Sequence, residues 1–326
     1  MRIYAERGLV SGIDAAPTRY YGIIASEIVQ MTAGRHFRWP LLITCLTATL
    51  ITASAEALAT PADDIAAGDR AWTQRADGHR GSQAAAQPIQ TAIDAYTRAL
   101  GADPENLEAR WKLLRAFHFK GEFVLDDGDQ RLELFRQGRE YAKTGVLQIE
   151  REFGLSRGLF RMEPAAVFHA TGDRAAVAEF YFWASANWGL WAQYSNKLIA
   201  ALTGVVSKIR QFAGIMVLMD ERVENGGAHR LLGHFNAVVP KIPLFMGWVD
   251  RDLAISELRL SLQVAPDSLL SKIYLAEALL KFSPGDRQEA LGLLHDIVKS
   301  QPDPERLVED TRVIEDAGAL LKSETV

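Results

Sequence analysis

Apolar residues recur along this chain at three- and four-residue steps. From about Ala84 onward, Ile89, Ile93, Tyr96 and Leu100 mark one face, and Leu107, Trp111, Leu114 and Phe117 mark the next. Such spacing lines one stripe of an α-helix. The period-two alternation of a half-buried strand is missing, and β-branched runs such as Val238-Val239 stop at a proline. The pattern predicts an all-α fold. Residues 60–83 are polar and loosely patterned, which predicts a flexible entry with room for one short helix.

Three segments superimpose: AIDAYTRALGADPENLEARWKLLRAF (92–117), AISELRLSLQVAPDSLLSKIYLAEAL (254–279) and ALGLLHDIVKSQPDPERLVEDTRVIE (290–315). Each opens on an alanine (Ala92, Ala254, Ala290) and carries a proline twelve positions later (Pro104, Pro266, Pro302) beside an aspartate (Asp103, Asp267, Asp303). The small alanine lets two antiparallel helices approach closely. The Asp/Pro corner ends one helix and begins the next, since proline suits a first turn but not a helix interior. Helix pairs of this kind cannot bury their apolar faces alone, so they stack. The unit resembles the tetratricopeptide repeat in degenerate form, with a period near the ~34 residues of that repeat for the last two copies. The expected architecture is antiparallel helix pairs stacked as a TPR-like α-solenoid, one domain over residues 84–326.

The middle of the chain departs from this period. Phe180-Tyr181-Phe182-Trp183 is followed by Asn187, Trp188, Trp191 and Tyr194 on one predicted helix. A long apolar helix is expected from about Leu198 to Val223, then Asn225-Gly226-Gly227, a short helix over Ala228–Val239, and a loop through Pro240 and Pro243 to Trp248. At helical spacing such aromatics are first of all core residues. Asn187 among them needs partners for its amide, and a neighbouring backbone is the nearest source. The two glycines suit the left-handed end of the long helix. Arg230 sits close to a helix start, where it opposes the local dipole, and calls for an acidic partner or an anionic ligand.

Composition narrows the function. The chain has 326 residues and a formal net charge of -5, which argues against a nucleic-acid binder, because neutralising phosphates needs a basic face. The N-terminus has the layout of a secretory signal that begins late. A basic cluster (Arg35, His36, Arg38) precedes an uncharged stretch from Trp39 to Ala55, closing on Ala57-Leu58-Ala59. Cleavage is expected after Ala59. Residues 31–59 are then the signal peptide, and residues 1–30, ahead of Met31, an over-long start. A retained anchor is the competing reading, although the stretch is short for a ~20-residue span. Lipid attachment at Cys45, the sole cysteine, lacks the usual small residue before it, since Leu42-Ile43-Thr44 precede. The mature chain would have 31 Lys+Arg against 37 Asp+Glu and no cysteine. A periplasmic location follows, with stability resting on the core alone.

Three segments in order, YFWASANWGLWAQ (181–193), MDERVENGGAHRLLG (219–233) and VPKIPLFMGWVDRDLAISELRLSLQVAPDSLLSKIYLAEALL (239–280), resemble the TatT-like T-component family of TRAP transporters. The resemblance covers most of residues 84–298. It implies a helical, TPR-containing envelope protein that associates with the periplasmic solute-binding P-component of a tripartite transporter. Carried over by motif, the partner- or ligand-binding candidates are Trp183, Asn187, Trp191, Gly227, His229, Arg230, Pro240, Pro243 and Trp248. Gly189, Gly226 and Gly233 complete the motifs. The family is often lipid-anchored, and Cys45 departs from that pattern. A small organic or hydrophobic ligand and a homo-oligomer are both compatible with the sequence.

Signals for catalysis are thin. No HExxH, nucleophile elbow, P-loop or GxGxxG is present. His229 and His234 are five apart, on different faces of a helix, so neither a metal nor a cofactor is expected. Asp126-Asp127-Gly128-Asp129 reads as a turn and helix cap, not a calcium loop. Three functions are therefore weighed: a TRAP accessory scaffold, a general TPR scaffold of the cell envelope, and an enzyme using His229, Asp220 or Glu221. The first is the leading expectation and the third the weakest.

Overall fold

Short polar residues set the helix boundaries. Thr60 and Asp63 form a reciprocal capping box, and Asn106, Asp127, Asp250 and Ser268 each accept a hydrogen bond from the backbone N–H two or three residues on. Each such cap is worth about 1 kcal/mol to the helix it starts. The computed structural model describes residues 59–195, 204–239 and 249–324, all within one compact unit, Ala57–Val326. Among these residues there are twelve α-helices: α1 (Pro61–Thr73), α2 (Ala86–Ala102), α3 (Leu107–Phe123), α4 (Gly128–Glu152), α5 (Pro164–Thr171), α6 (Ala175–Tyr194), α7 (Val205–Met219), α8 (Gly227–Val238), α9 (Arg251–Val264), α10 (Leu269–Phe282), α11 (Arg287–Lys299) and α12 (Leu307–Glu324). The fold is all-α. The expected signal peptide, Cys45 and the Pro240–Trp248 loop lie outside the described residues.

Successive helices pack on one another as stacked pairs. The three repeated segments fall on α2/α3, α9/α10 and α11/α12, and Ala92, Ala254 and Ala290 are all fully buried, as close helix approach requires. Pro104 and Pro266 sit in the connections rather than in the first turn of the second helix. There Asn106 and Ser268 supply the caps. Residues 60–83 are more ordered than their polarity suggested. The capping box starts α1, and Gly68 lets it lie against the ring of Tyr96, so close that a Cβ would stand 2.4 Å from it. The long middle helix ends at Met219, four residues before the expected Val223. Gly226, at φ +75°, caps the start of α8 rather than ending α7.

Three apolar clusters fill the stack. The first joins α1–α3 and includes Val308 of α12. The second centres on α6, where Phe212 of α7 stacks on Tyr181 (4.5 Å between ring centroids) and Trp188 (5.4 Å). The third fills α9–α12. Burying a side chain such as Phe212 contributes about 1.5–3 kcal/mol.

The presence of Val308 in the first cluster marks a closure. Arg75, just after α1, pairs with Glu309 of α12 at 2.9 Å and donates to the Glu305 carbonyl. Ser82 donates to Glu315 at 2.5 Å, and Arg312 donates back to Ser82 at 2.9 Å. The last helix therefore docks on the first pair, and the stack of helix pairs is a closed ring.

Candidate functional site

One face of α3 carries Trp111, Arg115, His118 and Glu122, spaced three and four residues apart. Its opposite side is apolar and buried, so this face turns to the inside of the ring. Electrostatics place its neighbours. His118 is held down to about 4 by burial and then by Arg230 of α8 and Arg306 ahead of α12. Tyr274 of α10 is pushed up to about 12 by burial, and feels Arg230, Glu277, Glu122 and Asp316. His234, one turn beyond Arg230, stacks on Tyr274 at 4.0 Å and is likewise held near 4. Ionisable groups from α3, α6, α8, α10 and α12 thus share one interior. Glu277 and Asp316 remain exposed to water while burial raises both their carboxyls.

The most unusual part of this interior surrounds Glu179 on α6. Its carboxyl is raised to about 7, first by burial and second by the Glu224 carboxylate, with Arg115 acting against the shift. The Trp183 indole N–H acts on the same carboxyl and favours its ionised form. Trp183 Nε1, Glu179 Oε2 and Arg115 Nε are all buried, and none makes a hydrogen bond of ordinary length and angle. The Arg115 guanidinium lies over the rings of Trp72 (4.0 Å) and Trp111 (4.9 Å).

Glu224 reaches this spot through a strained turn. Glu224 (φ +49°), Asn225 (φ +56°) and Gly226 (φ +75°) are successive left-handed residues. For a non-glycine residue that conformation costs of order 1 kcal/mol or more. Arg230 holds it in place by donating to the carbonyls of Glu224 (2.8 Å) and Asn225 (2.9 Å), with Ser271 Oγ at 3.3 Å. No carboxylate lies within 4.0 Å of Arg230 among the described residues, which corrects the expected ion pair. Backbone carbonyls at the left-handed turn satisfy the guanidinium instead. Desolvation still lowers its pKa to about 10.

Among the described residues the sequence-derived candidates divide three ways. Trp183 and Arg230 face the interior. Asn187, Trp191 and Gly227 are packing residues. Asn187 Nδ2 donates to the carbonyls of Leu114 (2.9 Å) and Trp183 (2.8 Å), which ties α6 to α3. Trp191 is buried beneath Arg139, whose guanidinium lies 4.2 Å from its ring. Gly227 abuts the ring of Phe182. His229 is buried, with Nδ1 2.7 Å from Glu257, and borders an outer cleft of about 720 Å³ with Asp220 and Glu221. Pro240, Pro243 and Trp248 lie outside the described residues. Arg115, His118, Glu179 and Glu224 were missed. The one available signal was the polar series Arg115, His118, Glu122 on an otherwise apolar helix.

No family model matches the chain, and no curated protein is detectably similar to it in sequence.

Proposed function

We propose that this chain is a periplasmic helical scaffold that associates with the solute-binding component of a TRAP-type transporter, as the resemblance of its three motif segments implies. One observation supports the reading above others: the motif segments, far apart in sequence, meet in the fold. Gly227, in the second segment, rests on the ring of Phe182, in the first. The third segment joins them where Ser261 donates to the Gly226 carbonyl at 3.0 Å and Ser271 meets Arg230. Motifs that assemble one wall of one interior are what a shared family architecture would require.

The test is co-purification of the chain with TRAP P-components of the same genome, followed by calorimetry. A stable complex supports the accessory role. A well-folded protein that captures no P-component overturns it and leaves the second reading, a general TPR-type scaffold of the cell envelope. That reading has its own support in the outer cleft, where Leu260 and Val264 present apolar surface beside Met219.

A further inference from the structure

His229 stands on the first turn of α8 and is only 7% exposed. Its Nδ1 lies 2.7 Å from Glu257 Oε2 on α9. A carboxylate oxygen only accepts, so Nδ1 carries the hydrogen, and the neutral ring keeps its lone pair on Nε2. Among the described residues Nε2 makes no hydrogen bond, and it is not one of the buried side-chain atoms left without a partner, so solvent reaches it. The ring borders the outer cleft, and its lone pair opens there. A buried acceptor held at a fixed angle by a second side chain is a built feature of this cleft.

The rest of the cleft has two kinds of surface. Val217 at the end of α7 and Leu260 and Val264 on α9 make an apolar wall. Asp220 and Glu221, on the turn after α7, add carboxylates at the rim. The cation there, Arg222, is 84% exposed and folds back on its own neighbour, Asp220 Oδ1, at 3.1 Å. It takes one carboxylate oxygen and leaves the other. An anionic ligand would therefore meet two carboxylates and a lone pair. A cation with N–H donors meets acceptors, and charge makes those hydrogen bonds about twice as strong as neutral ones. No serine, threonine or cysteine lines the cleft, so the His229–Glu257 pair has no side-chain nucleophile to activate. The arrangement suits binding. A volume of about 720 Å³ is that of a small-molecule site.

We infer that the outer cleft binds a small aliphatic amine in its ammonium form. His229 Nε2 and the Asp220 and Glu221 carboxylates receive the ammonium, and the alkyl stem lies on Val217, Leu260 and Val264. Glu257 is a positioning residue, acting through the tautomer of His229. The inference goes beyond the scaffold role and does not rest on it, because it concerns one cleft of this chain alone.

The experiment is an NMR titration of the full chain, labelled with nitrogen-15 in its histidines, with hexylamine. Hexanol (no charge), hexanoate (opposite charge) and hexyltrimethylammonium (charge without an N–H) are the controls. Hexylamine is expected to bind and to shift the His229 ring signals, with each control at least fivefold weaker. His229→Phe keeps a ring but removes the acceptor, and should weaken binding at least tenfold. The double variant Asp220→Asn, Glu221→Gln changes only the cleft rim and should weaken it several-fold. Glu140→Gln, on α4, leaves it unchanged. The nitrogen-15 shifts of His229 should show Nδ1 protonated and Nε2 bare, a preference lost in Glu257→Gln together with affinity; a retained tautomer overturns the role of Glu257. Circular dichroism and thermal unfolding confirm that each variant is folded. Absence of hexylamine binding overturns the proposal. So does a control that binds as tightly, or a folded rim variant with unchanged affinity. An acetylated, amidated peptide with lysine between two leucines separates the sources of the ammonium. Tighter binding by hexylamine supports a free ligand, and binding by the peptide alone overturns it in favour of a partner's lysine. Failure here would leave P-component association intact, and failure of that association would leave this site intact.

Discussion

Replacing Arg230 by methionine removes a guanidinium while keeping much of the side chain's length. Two charge-assisted hydrogen bonds are lost, to the carbonyls of Glu224 and Asn225. Bonds to charged groups are worth roughly 1.5–3 kcal/mol each. Opposing this loss, the variant no longer desolvates a cation, a cost visible in the lowered pKa of Arg230. The net expectation is destabilisation of about 3 kcal/mol, a large share of the roughly 5–15 kcal/mol that holds a typical domain together. Urea unfolding at pH 5 measures it as a fall in midpoint with the slope unchanged. A second substitution tests the mechanism. Glu224→Gly places at φ +49° the residue that adopts that conformation without strain. In the Arg230→Met background it should recover about 1 kcal/mol, giving a coupling energy above about 0.5 kcal/mol. Working at pH 5 keeps Glu179 largely protonated, so removal of the facing Glu224 charge adds little. An Arg230→Met cost below about 1 kcal/mol, with no coupling to position 224, would show that the turn holds itself and would refute the clamp.

Three further outcomes follow from the packing and the charges. Arg75→Ala breaks the half-buried pair with Glu309 and the bond to the Glu305 carbonyl; it should cost about 3 kcal/mol, and hydrogen exchange should accelerate in α1 and α12 before α6. Gly138→Ala would place a Cβ 2.3 Å from Asn187 Oδ1, so a loss of about 1–3 kcal/mol is expected in thermal unfolding. The folded chain holds the Glu179 proton up to about pH 7, more tightly than the unfolded chain does. On its account stability falls as pH climbs from about 4.5 to 7 and levels off above. His118 and His234, held near 4, act in the opposite direction. The difference in urea midpoint between wild type and Glu179→Gln therefore isolates the carboxyl. It should favour the variant at pH 7.5 and shrink by pH 5; a difference independent of pH would contradict the burial of Glu179.

What the sequence determined by itself was local. Apolar spacing along Ile89, Ile93, Tyr96 and Leu100 fixed helices, because a helical stripe is written in every three or four residues. The small residues at 92, 254 and 290 fixed where helices would pair, and Asn187 could be read as backbone-bonded because a buried amide has few alternatives. The tertiary structure decided everything that depends on distant segments meeting. Closure of the ring rests on Arg75, Ser82 and Val308 finding partners over 200 residues away, and no local pattern encodes that distance. The role of Arg230 turned on whether a carboxylate or a carbonyl came within reach, and the left-handed turn supplied carbonyls. Glu179 and Glu224 look like ordinary surface carboxylates in the sequence. The raised pKa of Glu179, and the interior it shares with Glu224, exist only because α3, α6 and α8 bring low-dielectric walls and like charge around it.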